Sequence, residues 1–168
     1  MDKRDMQQEL ALMTQLAQLG NGAHAFAMRI VGSSADAADA VHDAFATALR
    51  KPEAFDPGKG SLRAWFLGIV RFRCLDLLRQ RRALSDDVDS LAGEEPGPEE
   101  LAERSENETR LQRALNSLHR DQQEIIILRD FMDLSYIEIA QTLELPAGTV
   151  MSRLHRARLA LKEAFESK

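Results

Sequence analysis

Cysteine is all but absent. One thiol, Cys74, in 168 residues cannot close an internal disulfide, which excludes a disulfide-stapled secreted scaffold and fits a reducing, cytoplasmic setting. Aromatic residues are 5% of the chain, and nine glycines with five prolines are too few for the turn-dense pattern of an all-β sandwich. The longest apolar run, residues 64–70, is interrupted by Gly68 and falls far short of the ~20 residues of a membrane span. The first residues are charged and open on no signal-type apolar stretch. The histidines His24, His42, His119 and His155 lack metal-ligand spacing and a cysteine partner, so no metal or other cofactor is expected. There is no nucleophile elbow and no Ser/His/Asp arrangement. The stretch 56–61, Asp-Pro-Gly-Lys-Gly-Ser, lacks the strand and the spacing of a phosphate loop. An enzyme is the class with least support.

What is present suits a helical protein with cores. The chain is 44% apolar and 29% charged, a globular composition. Its net charge of −5 argues against nucleic acid until it is divided along the chain. Residues 1–83 carry 12 basic and 9 acidic groups, residues 84–110 carry 2 and 10, and residues 111–168 carry 8 of each. Within the first block, 62–82 holds six arginines against Asp76 alone; within the last, 145–162 holds Arg153, Arg156, Arg158 and Lys162 and no acid. Two basic helices flank an acidic segment, and the distribution matters more than the sum.

Residues 86–98 combine five acids with two glycines and two prolines, a solvated linker by composition. Before it the pattern predicts four helices. The first spans 5–19, with Met6, Leu10, Met13 and Leu16 on one side, and stops at Gly20-Asn21-Gly22. The second spans 23–31. The third follows the N-cap serines Ser33 and Ser34 and has Ala38, Val41, Phe45 and Ala48 on its apolar face. The fourth runs from a Ser61 cap to about residue 83. Leu62, Trp65, Phe66, Ile69, Val70, Phe72 and Leu77 lie on one side of it, and Arg63, Arg71, Arg81 and Arg82 on the other. After the linker, a helix over 99–118 shows Leu111, Leu115 and Leu118 on one face. A second, over 121–132, opens on an apparent capping pair, Asp121 and Glu124. A third starts at Ser135-x-x-Glu138 and carries Ile137, Ile139, Ala140 and Leu143. A tight turn through Glu144 leads to the last helix, 147–165. There Val150, Leu154, Ala157, Leu161 and Phe165 share about 80° of arc. Thr149, Ser152, Arg153 and Arg156 form one polar strip; His155, Arg158 and Lys162 form another. A short helix, a tight turn and a helix with an apolar back and a Thr/Ser/Arg front is the helix-turn-helix pattern.

At this point the chain resembles a known family. Residues 36–45 (Asp-Ala-Ala-Asp-Ala-Val-His-Asp-Ala-Phe), 55–66 (Phe-Asp-Pro-Gly-Lys-Gly-Ser-Leu-Arg-Ala-Trp-Phe) and 76–79 (Asp-Leu-Leu-Arg) resemble region 2 of bacterial extracytoplasmic-function sigma factors. Residues 129–131, 134–140 and 146–158, the last reading Pro-Ala-Gly-Thr-Val-Met-Ser-Arg-Leu-His-Arg-Ala-Arg, resemble region 4 of the same class. The resemblance implies an all-α fold of two small domains: region 2 over 1–83 (matched best over 23–83), an acidic linker with the start of the next helix over 84–110, and region 4 over 111–168. It implies a transcription-initiation factor that binds core RNA polymerase, reads promoter DNA at two elements and helps to melt it. Asp36, Asp39, Asp43 and Phe45 would dock on the β′ clamp helices. Phe55, Asp56, Lys59, Ser61, Arg63, Arg71 and Arg73 would hold the opened −10 strand. Thr149, Ser152, Arg153, Arg156 and Arg158 would read the −35 duplex. The linker would enter the polymerase cleft, and an anti-sigma factor would be the usual restraint. Three departures stand out: no aromatic-rich helix precedes Ala23, Glu144 occupies a turn position often held by glycine, and Met151 replaces a frequent Lys or Arg.

Plainer readings accompany each of these residues. Asp36, Asp39 and Asp43 also fit a solvated helix face, Trp65, Phe66 and Tyr136 fit core packing, Phe55 fits packing or base stacking, and Cys74 fits a small packing residue. Two other functions stay open: a sigma-like mimic that titrates an anti-sigma protein, and a stand-alone helix-turn-helix regulator. Mimics are usually fused to a receiver domain, for which 168 residues leave no room. A stand-alone regulator leaves the arginine-rich fourth helix unexplained.

Overall fold

A computed structural model describes residues 2–84 and 105–167. Among them are seven α-helices and no strand, the all-α class the sequence implied. The N-terminal body comprises α1 (Lys3–Val31), α2 (Ser34–Arg50) and α3 (Leu62–Leu84), with a 3-10 turn at Pro52–Ala54. The C-terminal body comprises α4 (Glu106–Asn116), α5 (Arg120–Ile126), a π-helical turn at Ile127–Phe131, α6 (Tyr136–Leu143) and α7 (Ala147–Glu166). The acidic linker lies outside the described residues, as do the first residues of the helix expected from 99. The described helix α4 starts where Ser105 and Glu108 cap each other.

The two helices expected over 5–31 are one. A glycine forgoes about 1 kcal/mol relative to alanine inside a helix, but the buried face continues through Leu16, Ala23, Phe26, Ala27 and Val31. A Cβ at Gly20 would meet the Phe45 ring at 3.7 Å, an ordinary contact distance, so neither packing nor backbone conformation interrupts the helix there. The helix stops at Gly32, left-handed at φ 73°. Its first three turns differ from expectation too: Met6, Leu10 and Met13 are exposed. At 1.5 Å per residue α1 is about 43 Å long and α2 about 25 Å, so the start of α1 overhangs its neighbours.

Ser33 caps α2 as expected, its Oγ accepting the Asp36 N–H at 3.4 Å. The buried face is Ala37, Ala40, Val41, Ala44 and Ala48; Ala38 is exposed. These small residues let α1 and α3 approach closely. Ser61 caps α3, accepting the Ala64 N–H at 3.1 Å. Phe66 and Val70 are fully buried, but Phe72, expected on the same side, is exposed. The sequence wheel blurs on α3 because the helix is covered twice: by α1 and α2, and by α6 of the other body.

In the C-terminal body Leu115, Ile125–Leu128, Leu134, Ile139, Val150, Leu154 and Ala157 form the interior. The helix expected over 121–132 ends at Ile126 and passes into the π turn, closed by Met132 N–H to Ile127 O at 3.0 Å. The Asp121/Glu124 cap does not form. His119 is the N-cap residue, without a side-chain bond, and Glu124 is buried against Arg71 of α3. The Ser135/Glu138 capping box does form. Ile137, grouped with the apolar residues of α6, is 69% exposed. The two bodies share one contiguous apolar cluster, through α3 against α6 and α1 against the π turn.

Candidate nucleic-acid interface

The C-terminal site is a helix-turn-helix. Glu144 ends α6 at φ 55° and ψ 46°, the left-handed conformation anticipated for a turn where glycine is common. Leu145 N–H donates to Ala140 O at 2.9 Å, so the turn closes as a Schellman motif. Pro146 then starts α7. Val150, Leu154 and Ala157 are sealed in the core; Leu161 and Phe165 are only half-buried.

The polar strips fall as the spacing required. Ser152, Arg153 and Arg156 are exposed and Thr149 is half-exposed. Arg153 and Arg156 line a shallow groove with Asp121, Gln122 and Ile125 of α5. Arg158 lies on the other side, its Nε donating to Asp130 Oδ2 at 3.1 Å and its Nη2 to Oδ1. That double contact raises the guanidinium's affinity for its proton. Met151, noted above as a departure, and His155, placed in the second polar strip, are also exposed but were not assigned to the −35 duplex. The signal was available, since both lie away from the arc of Val150, Leu154 and Ala157 on the helical wheel.

The N-terminal site gathers around the start of α3. Phe55 is half-buried with its ring 5.4 Å from Trp65. Asp56 Oδ1 accepts the Gly58 N–H at 2.9 Å, which shapes the loop, and Lys59 stands 3.8 Å from Asp56 on the exposed side. Ser61 Oγ also donates to Glu138 Oε1 at 2.8 Å. Arg63 Nη2 donates to Met132 O. Arg71 Nε donates to Glu124 Oε2 at 2.7 Å, and Arg73 Nη2 to Thr47 Oγ1 at 2.9 Å. Ser61, Arg63 and Arg71 therefore all engage the C-terminal body in this arrangement, a juxtaposition invisible in the sequence.

On α2, Asp39 and Asp43 are exposed side by side one turn apart. Asp36 is paired with Arg81 of α3. Phe45 turns inward, its ring 4.8 Å from Phe66. The face available to a partner is thus carried by Asp39 and Asp43, with Phe45 packing behind it.

Electrostatics follow burial. Burial pushes the Cys74 thiol up to about 12, helped by the nearby Glu124 carboxylate, so it stays a protonated packing group. Burial also raises Glu124, and the Arg71 guanidinium offsets part of the rise. For Glu138 burial acts upward, but hydrogen bonds from Ser135 and Ser61 and the charge of Arg63 hold it below the usual carboxylate range. Among the described residues no group of three His, Cys, Asp or Glu side chains is placed to hold a metal ion.

Comparison with known proteins decides the family. The sigma-70 region 2 model matches residues 16–84, starting where α1 enters the core, and the sigma-70 region 4 model matches residues 108–161. Over 94% of its length, and 86% of the relative's, the chain is 31% identical to the ECF RNA polymerase sigma factor RpoE of Cereibacter sphaeroides. The chain belongs to the ECF RNA polymerase sigma factors. It is also 35% identical to the ECF RNA polymerase sigma-E factor of Escherichia coli, over 76% of this chain and 73% of that one. It is 34% identical to SigE of Mycolicibacterium smegmatis over 82% of its own length, and spans about half (54%) of that longer relative. Among solved structures, this sigma factor superposes with a TM-score of 0.67 on the sigma factor RpoE in complex with the anti-sigma factor NepR from Bartonella quintana. That match has 28% identity and covers 99% of each chain. CnrH in complex with the cytosolic domain of CnrY also gives 0.67, at 29% identity over 93% of this chain and 88% of that one. No described helix is long and apolar enough to cross a membrane.

Proposed function

We propose that this sigma factor binds core RNA polymerase, recognises −35 and −10 promoter elements and promotes melting and initiation, as a non-catalytic protein working in the cytoplasm. One observation carries the reading: Arg153 and Arg156 stand in solvent on α7 while Val150, Leu154 and Ala157 close its back. A helix of that kind fits the major groove with arginines free for base edges and phosphates.

In this reading residues 1–83 are region 2, 84–110 the acidic linker and the start of the first region 4 helix, and 111–168 region 4. Asp39 and Asp43, with Asp36 and Phe45 behind them, present the face toward the β′ clamp helices. The loop 55–61 with Arg63, Arg71 and Arg73 receives the opened −10 strand, for which a cationic groove beside aromatic groups is suited. Thr149, Ser152, Arg153 and Arg156 face the −35 duplex, joined by Met151 and His155, while Arg158, expected with them, is held by Asp130 on the other side of α7. Two solved relatives are complexes with the anti-sigma factor NepR and with the cytosolic domain of CnrY, and we assign this chain a restraining partner of the same kind.

Run-off transcription with core polymerase and this protein on a genomic fragment library tests the reading and reveals the promoter. Discrete transcripts that need the protein are expected. Core polymerase giving the same products without it would refute initiation activity and favour the titrating mimic.

A further inference from the structure

We propose that Met151 reads a thymine methyl group, so that this sigma factor selects thymine at one fixed position of its −35 element. The inference rests on the assignment of α7 to the −35 duplex and gives that face a specificity determinant. Met151 is 63% exposed and, among the described residues, takes no part in the packing around the core cluster. Helix formation does not call for it either, since Lys, Arg or Gln serves as well at an exposed helical position. It lies in the second turn of α7, and the leading turns of a recognition helix are those that reach base edges. Met151 and Arg153 flank Ser152 on opposite shoulders, about 100° to either side. The Arg153 shoulder is cationic and lines a groove with Arg156 against α5. The Met151 shoulder is apolar at its leading edge. Helical side chains lean back over the preceding turn, which here holds Ala147 and Gly148. Ala147 is itself exposed, and a Cβ on Gly148 would meet nothing within 4 Å among the described residues. The thioether therefore reaches forward over a turn that carries no bulky side chain.

The chemistry of the major groove decides what such a side chain meets. A thioether donates no hydrogen bond, accepts only weakly and carries no charge for a phosphate. What it contributes on binding is the removal of apolar surface from water. The apolar group that a base pair displays in the major groove is the C5 methyl of thymine. Amino and carbonyl groups facing Met151 would instead lose water and gain no partner, which is unfavourable. Attraction to the methyl and the cost of unpaired polar edges favour the same base.

The test uses holoenzyme assembled from core polymerase and this protein, presented with promoter duplexes randomised over the −35 element. The unaltered protein is expected to enrich thymine at one position by about fivefold or more over the other bases. Met151→Ala should reduce that preference to within about twofold, and Met151→Leu, still apolar, should keep most of it. In a selected duplex, deoxyuridine in place of that thymine removes the methyl alone and should weaken binding about fourfold, the effect of one methyl-sized group. At the same position 5-methylcytosine should bind about fourfold better than cytosine, because it restores a methyl at C5. Both differences should vanish in Met151→Ala. A thymine preference unchanged in Met151→Ala, or indifference of the unaltered protein to deoxyuridine, overturns the proposal. The base-analogue comparison needs no variant and decides the matter if one fails to fold. Holoenzyme that selects no −35 sequence at all refutes the assignment of α7 to the duplex. Selection without methyl dependence refutes only the role of Met151.

Discussion

Replacing Glu144 with glycine should make this protein more stable. Glu144 holds φ 55° and ψ 46° at the end of α6, where an L-residue with a Cβ carries about 1–2 kcal/mol of strain. Glycine escapes that strain but loses about 0.5–1 kcal/mol more backbone entropy on folding, so a gain of about 0.5–1 kcal/mol remains. The Glu144 side chain is exposed and forms no ion pair among the described residues, so little is lost with it. A second contribution comes from removing a carboxylate at a helix C-terminus, worth about 0.3–1 kcal/mol at low salt. Glu144→Ala separates the two, because alanine removes the charge and keeps the strain. Urea unfolding is the assay. Alanine should raise the midpoint slightly, and glycine should raise it further, by about 0.3–0.5 M beyond alanine for an m-value near 2 kcal/mol/M. A glycine midpoint equal to or below alanine's, with m unchanged, would refute the argument that backbone strain is stored at this turn.

Other outcomes follow from the same geometry. Phe66→Ala, at a fully buried site beside Phe45, should cost about 3–5 kcal/mol by urea unfolding. Arg153→Ala should lose discrimination between −35 sequences in competition binding. Arg71→Ala should mainly flatten the salt dependence of strand binding, by about 0.7 for one phosphate, and identical behaviour would refute the division of labour. The Cys74 thiol should resist alkylation at pH 8 until the chain unfolds. Because its folded pKa lies near 12 against an ordinary 9, it should also erode stability as pH rises through that interval. Glu138 titrates in the opposite sense. Its folded pKa is depressed, so its contribution is present at neutral pH and is lost as pH falls through the acid range. Glu138→Gln should flatten the acid limb of a stability–pH curve.

Local chemistry was readable wherever one helix face or one cap decided the matter. Ser33, Ser61 and the Ser135/Glu138 box start helices where their side chains dictated, and α7 buries Val150, Leu154 and Ala157 of the arc its spacing defined, leaving Leu161 and Phe165 half-buried. Gly20 and Gly22 misled because a glycine signal is worth about 1 kcal/mol, less than the burial of Phe26 and Leu16 on a continuous face. Met6, Leu10 and Met13 misled because periodicity shows that a face exists, not that a neighbour is long enough to cover it. Glu124 misled because its spacing from Asp121 fits a cap as well as it fits a distant arginine.

By itself the sequence determined the helical class, the two basic helices, the helix-turn-helix and the family resemblance. These depend on side chains within a few turns of one another, whose relative positions helical geometry already sets. Only the tertiary structure decided that Phe45 turns inward and that Ser61, Arg63 and Arg71 meet residues 77, 69 and 53 positions away. Contacts at that separation depend on how two bodies pack, and packing is settled by the summed burial of both surfaces, which no local pattern encodes.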